Sequence, residues 1–80
     1  MTSGDLEQRI LGVVRDVLDD GGIAADDGWV ASGGTSLKAV WLVAGLARET
    51  GVLLDLSDVG DATSAVGLTA ILSEHLDGSG

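Results

Sequence analysis

The chain of 80 residues contains no cysteine, no proline, no phenylalanine and no tyrosine, and its only aromatic side chains are Trp29 and Trp41. Without cysteine there is neither a disulfide framework nor a thiolate metal site, which suits a reducing compartment. With so little aromatic surface, the 45% of residues that are hydrophobic must build a core from Leu, Val, Ile and Ala. That inventory fits a helical bundle better than a sandwich, which leans on aromatic and β-branched alternation. Basic side chains are scarce as well: four against 13 acidic ones, for a net charge of −9. Such a field repels nucleic-acid phosphates and anionic membrane surfaces and attracts basic protein patches. The expected partner is another protein, not nucleic acid or membrane. Long apolar runs are missing too. The longest, AVWLVAGLA from Ala39 to Ala47, has nine residues and is too short to span a bilayer. The N-terminal MTSGDLEQR lacks the basic and apolar regions of a signal peptide, so the expectation is a cytoplasmic protein.

A chain this short makes one domain that buries only about 60% of the surface its unfolded form exposes. Leu6, Ile10, Val13, Val14 and Val17 recur at helical spacing, with Glu7, Arg9, Arg15 and Asp16 on the wet side. Thr2 or Ser3 can cap this first helix, Asp5 and Glu7 suit its positive end, and DDGG from Asp19 to Gly22 stops it. From Ile23 to Thr35 the sequence is a Gly- and Asp-rich loop in which Ile23, Trp29 and Val30 are the apolar pins. A second helix is expected over about Ser36 to Thr50, ended by Gly51 in a left-handed cap. Val52 to Leu56 reads as an extended connection, and a brief turn around Ser57 to Val59 can be helical. Thr63 or Ser64 caps a last helix that carries Val66, Leu68, Ile71, Leu72 and Leu76 inward. The expected fold is all-α: three main helices plus a short fourth, one domain over 1–80, ordered over about 4–76, with a frayed tail at 77–80.

The stretch GGTSLKAV, from Gly33 to Val40, places a serine where a glycine-rich turn becomes a helix. A hydroxyl there lies beside unpaired backbone N–H groups at the positive end of the helix dipole, a place that tolerates a phosphate. Gly33 and Gly34 present no side chain to an approaching enzyme. Read from the residues alone, Ser36 is either a modifiable handle or, with Thr35, no more than a helix N-cap. A hydrolase nucleophile is disfavoured. GTSLK has Lys38 where the G-x-S-x-G elbow needs glycine, and the only histidine, His75, sits on the last helix. Asp26 and Asp27 lack the spacing of a calcium loop and read as solvated charges, so no metal site and no catalytic residue is expected.

The segment from about Ile23 to Leu76, and above all GGTSLKAV, resembles the carrier protein family. It is most similar to the peptidyl carrier proteins, or thiolation domains, of nonribosomal peptide synthetases. The resemblance implies a non-enzymatic, free-standing type II carrier. Ser36 would bear 4′-phosphopantetheine, loaded from coenzyme A by a phosphopantetheinyl transferase, with Gly33, Gly34, Thr35 and Leu37 around the attachment point. It further implies an adenylation or acyl-loading enzyme and downstream condensation or tailoring enzymes as partners of a monomer. The alternatives are an acyl carrier of a polyketide or fatty-acid-like pathway and an unmodified helical interaction module. The chain departs from the family pattern at Ser32, Thr35, Gly60 and Thr63.

On the second helix, Lys38, Gly45 and Glu49 fall on one line, and periodicity alone centres the core opposite them near Val40, Val43 and Ala47. The family resemblance instead implies burial of Ala39, Leu42, Val43 and Leu46. It leaves Leu37, Val40, Trp41 and Ala44 as an apolar strip contiguous with Ser36. The expected partner interface is Leu37, Lys38, Val40, Trp41, Ala44 and Arg48, with Val59 from the short helix. The alternative for Trp41 is a local lid folded over the long loop. Glu49, Asp55 and Asp58 are expected to add to the acidic field.

Overall fold

The computed structural model describes residues 3–30, 33–61 and 64–78. Four helices follow one another: α1 Ser3–Leu18, α2 Ser36–Thr50, α3 Leu56–Asp61 and α4 Ala65–Gly78. Among the described residues there is no strand, only a single antiparallel bridge between Gly28 and Ser64. The fold is therefore the all-α bundle with a short additional helix and a long first loop. No helix among the described residues is long and apolar enough to cross a membrane.

Leu6, Ile10, Leu11, Val14 and Leu18 of α1 supply one wall of the core, Leu42 and Leu46 of α2 the second, and Ala65, Leu68 and Leu72 of α4 the third. The spacings of three and four in each set are those of one helix face. Leu54 and Val59 close the bundle at α3, and Ile23 and Trp29 close it from the loop. Leu11 and Leu18 join the core although the expected apolar line omits both. Val13 and Val17 lie half-buried at its edge, against α2.

Three inward assignments are overturned. Val30 is 54% exposed, because Trp29 beside it points into the core and successive residues of the loop face opposite ways. Val66 is exposed because Ala65, one position earlier, occupies the buried line of α4. Its backbone N–H, rather than its side chain, ties α4 to the loop by donating to Ala25 O at 3.0 Å. Leu76, at the far end of α4, is exposed too.

Helix ends follow local chemistry. Asp19 adopts a left-handed conformation (φ 53°), so α1 stops short of the glycines, while Asp20 N–H donates to Arg15 O at 3.0 Å. Gly51 ends α2 with φ 77°, its N–H donating to Ala47 O at 2.8 Å. Asp55 precedes α3, and Asp58 Oδ2 accepts its N–H at 3.2 Å, half of a capping box. At α4 Ser64 is the cap, its Oγ accepting from Gly67 N–H at 3.2 Å. Thr2, Ser32 and Thr63 lie outside the described residues. The last helix continues through Gly78, two residues past Leu76.

Leu46 is fully enclosed and Leu53, on the extended connection, is 75% exposed. Leu46→Ala is expected to remove about 2–5 kcal/mol of unfolding free energy. Leu53→Ala should change it by less than about 0.5 kcal/mol. Urea denaturation of both variants checks the placement of the core.

Candidate functional site

Two adjacent hydroxyls open α2, and their tasks differ. Thr35 is the N-cap: its backbone is extended (φ −127°, ψ 174°) and its Oγ1 accepts from Lys38 N–H at 3.3 Å. Its carbonyl accepts from Ala39 N–H at 2.9 Å, starting the helical ladder. Ser36, the first residue of the helix proper, is exposed. With the cap supplied by Thr35, no hydrogen bond engages the Ser36 hydroxyl among the described residues.

The turn before these residues is shaped by Trp29. Its side chain is 4% exposed, and its indole Nε1 donates to Val59 O at 3.2 Å. Gly34 N–H donates to Trp29 O at 3.0 Å. A Cβ at Gly34 would run into Cε3 and Cζ3 of the indole and lie 2.8 Å from the Trp29 carbonyl oxygen. Gly34 is therefore glycine because the ring lies against it, a packing requirement that the sequence pattern did not reveal. Gly33 meets a different requirement: its φ of 110° is a conformation that side chains disfavour, and it is exposed with open space around it.

Beside Ser36 runs an open groove of about 340 Å³, walled by Val30 and Gly34 from the loop, Ala39 from α2, and Leu56 and Gly60 from α3. Val30, Leu37, Val40 and Leu56 put an exposed apolar surface around the hydroxyl. Val30, Leu56 and Gly60 were not among the expected site residues. Their signal in the sequence was weak, since each is a single residue in a short or irregular segment with no period to follow. Val59, an expected interface residue, is 0% exposed and belongs to the core. Its neighbour in the helix, Leu56, takes the outward place.

The outer face of α2 carries Leu37, Val40, Trp41, Ala44 and Arg48, while Leu42 and Leu46 are buried. Ala39 and Val43 pack at the edge of the core. The core thus lies where the family resemblance implied; of the residues near which periodicity centred it, Val43 packs against the core, whereas Val40 is 49% exposed. Periodicity misplaces Val40 because the polar line of Lys38, Gly45 and Glu49 runs along α1, with Lys38 and Gly45 half-buried there and Glu49 at an exposed rim. Lys38 Nζ donates to Val17 O at 3.3 Å near the C-terminal end of α1, where a cation suits the helix dipole. A Cβ at Gly45 would lie 2.8 Å from Val13 Cγ1, so the two helices touch there. Glu49 pairs with Arg9 at 3.7 Å across an exposed rim. Lys38 Nζ also lies 6.0 Å from the centre of the Trp41 ring.

Trp41 is 49% exposed and shares a groove with residues of α1 and α2. This second groove, of about 450 Å³, is lined by Val13, Val17, Ala44 and Arg48 among others. Asp27 is occupied locally, its Oδ2 accepting Ala24 N–H at 2.8 Å. His75 is exposed on α4 and does not line the Ser36 groove.

A phosphate ester on Ser36 fits this surface. The hydroxyl is accessible, the first N–H groups of α2 have no intrahelical acceptor, and the first turn of α2 bears no acidic side chain although the whole chain carries −9. Residues 8–72 match the phosphopantetheine attachment site family. The chain is also 35% identical over 69 residues to one of the plipastatin synthase subunits of Bacillus subtilis (strain 168), a match that covers 86% of this chain and 2% of that protein. The match over residues 8–72, most of this all-α bundle, makes the chain a member of the phosphopantetheine attachment site family, whose cofactor is covalently held 4′-phosphopantetheine.

Proposed function

We propose that the chain is a peptidyl carrier protein in which Ser36 bears the phosphopantetheine and presents an aminoacyl, aryl or acyl thioester to partner enzymes. The observation that carries this reading is the division of labour at α2: Thr35 caps the helix and Ser36 stays exposed with its hydroxyl uncommitted. In loading, Ser36 Oγ attacks the pyrophosphate of coenzyme A next to the pantetheine, a phosphodiester forms, and adenosine 3′,5′-bisphosphate leaves. The proton of the hydroxyl passes to a base on the transferase. Gly33, exposed and without a side chain, leaves room for that approach. The tether supplies a terminal thiol on a flexible arm, which raises the local concentration of the cargo at each enzyme the protein docks with.

The match to a synthase component supports the nonribosomal-peptide type of pathway, with adenylation and condensation or tailoring enzymes as partners. Leu37, Val40, Trp41 and Ala44, with Leu56 across the groove, form the docking surface, since an exposed apolar patch of this kind marks an interface. Arg48 lies at its edge, and among the described residues no hydrogen bond or ion pair holds it. The protein works without catalytic residues of its own, in the cytoplasm, as a monomer whose helices bury their apolar faces in one core.

Incubation with coenzyme A and a broad-specificity transferase should add the mass of one phosphopantetheine to the wild-type chain and nothing to Ser36→Ala. Addition to Ser36→Ala would place the attachment elsewhere. Stability should behave in the opposite way. Thr35→Ala loses the cap and about 1 kcal/mol, whereas Ser36→Ala leaves the denaturation midpoint in place. At the docking surface, Trp41→Ala should weaken transfer from the loaded carrier to a downstream enzyme while the melting temperature holds. A collapse in melting temperature would return Trp41 to the core.

A further inference from the structure

The Trp29 side chain makes two contacts that lead to different parts of the Ser36 site. Its benzo ring lies against Gly34, two residues before Ser36, at a spacing that leaves no room for a Cβ. Its indole N–H, on the other side of the bicycle, donates to Val59 O in α3 at 3.2 Å, in a buried position. Helix α3 has six residues, too few to be stable alone, and it forms the wall of the groove through Leu56 and Gly60. One side chain thus touches both the turn that leads into the attachment residue and the segment that a docking enzyme meets beside it.

We infer that Trp29 is a positioning residue with two separable roles: its ring sets the placement of Ser36 through Gly34, and its N–H holds α3 as the groove wall. The inference rests on Ser36 being the attachment point. The two roles reach different kinetic constants. Shifting the turn misplaces the nucleophilic oxygen within an otherwise bound complex and lowers kcat for loading. Releasing α3 leaves that oxygen in place but requires α3 to be ordered on docking, which raises KM.

Two variants of the full chain separate them. In the first, made by chemical synthesis, Trp29 is replaced by 3-benzothienylalanine, which keeps the bicycle and substitutes sulfur for the N–H. It should load with unchanged kcat and a KM raised by roughly threefold to tenfold, the loss expected of one net hydrogen bond. In the second, Gly34→Ala, kcat should fall by roughly tenfold to a hundredfold. A role limited to stability would lower the melting temperature of both and, well below it, leave both constants as in wild type. That result overturns the inference.

The contact to Val59 is read directly by hydrogen exchange. The Trp29 indole N–H should be protected, and that of half-exposed Trp41 should exchange with solvent. Equal exchange rates would also overturn the inference. Should Gly34→Ala fail to fold, the isostere and the exchange measurement decide between the outcomes. A wild-type chain that accepts no phosphopantetheine defeats the attachment reading instead, a result distinct from loaded variants with wild-type constants.

Discussion

The indole of Trp29 is the contact on which the geometry of this small fold converges. It fills the space between the long loop, the start of α2 and α3, and its N–H is a polar link from the loop to α3. The scale of the contact matters in so short a chain. Truncating a buried aromatic side chain costs roughly 3–5 kcal/mol. An 80-residue domain has a total stability on the order of 4–12 kcal/mol at the usual value per residue. About a quarter or more of the stability therefore rests on the residue that also shapes the site. The loop is also held by the buried Ile23 side chain and by polar ties: Arg15 Nε to Ile23 O at 2.8 Å, Val66 N–H to Ala25 O at 3.0 Å, and the bridge between Gly28 and Ser64.

Helix α2 has three faces where an amphipathic helix has two. Leu42 and Leu46 fill the core. The line of Lys38, Gly45 and Glu49 meets α1, where each residue suits a neighbouring helix in its own way. Lys38 satisfies a backbone carbonyl near the end of α1, Gly45 permits close approach, and Glu49 meets Arg9 at the rim. The ion pair is half-exposed and contributes at most about 1 kcal/mol. The close contact at Gly45 matters more, because it sets the distance between the helices. With polar and small residues spent on α1, the apolar residues left over face outward. The exposed strip of Leu37, Val40, Trp41 and Ala44 follows from this arrangement.

The same arrangement explains what was legible in the sequence. The bounds of α2, the left-handed Gly51, the inward placement of Leu6, Ile10 and Val14 on α1 and the all-α class follow from period and capping chemistry, which are local. The core face of α2 does not follow from period, because a periodicity argument takes a polar line to be wet and cannot see Lys38 capping another helix. Val30, Val66 and Val59 failed for a related reason: in a loop, at a helix start and in a six-residue helix, one residue's neighbour decides which side it faces. Trp29 was legible as a pin but not as the partner of Gly34, since that contact depends on ring orientation. The serine was visible as a candidate from the glycines and the helix start, and the groove beside it was not, because Leu56 and Gly60 reach it only through the packing of α3.

Thr35 and Ser36 carry the same functional group on adjacent residues, and helix geometry alone assigns them different fates. An N-cap residue has extended backbone angles, so its side chain folds forward over the first turn. There Thr35 Oγ1 meets the Lys38 N–H. The next residue has helical angles, and its Cα–Cβ bond tilts back toward the N-terminus, past the end of the helix. Among the described residues no hydrogen bond engages the Ser36 side chain, and the residue is exposed beside the groove. Exchanging which residue caps would unwind the first residue of α2 and give up the bond from Ala39 N–H to Thr35 O at 2.9 Å as well as the Thr35 Oγ1 cap. The Thr35 cap and the availability of Ser36 are one constraint.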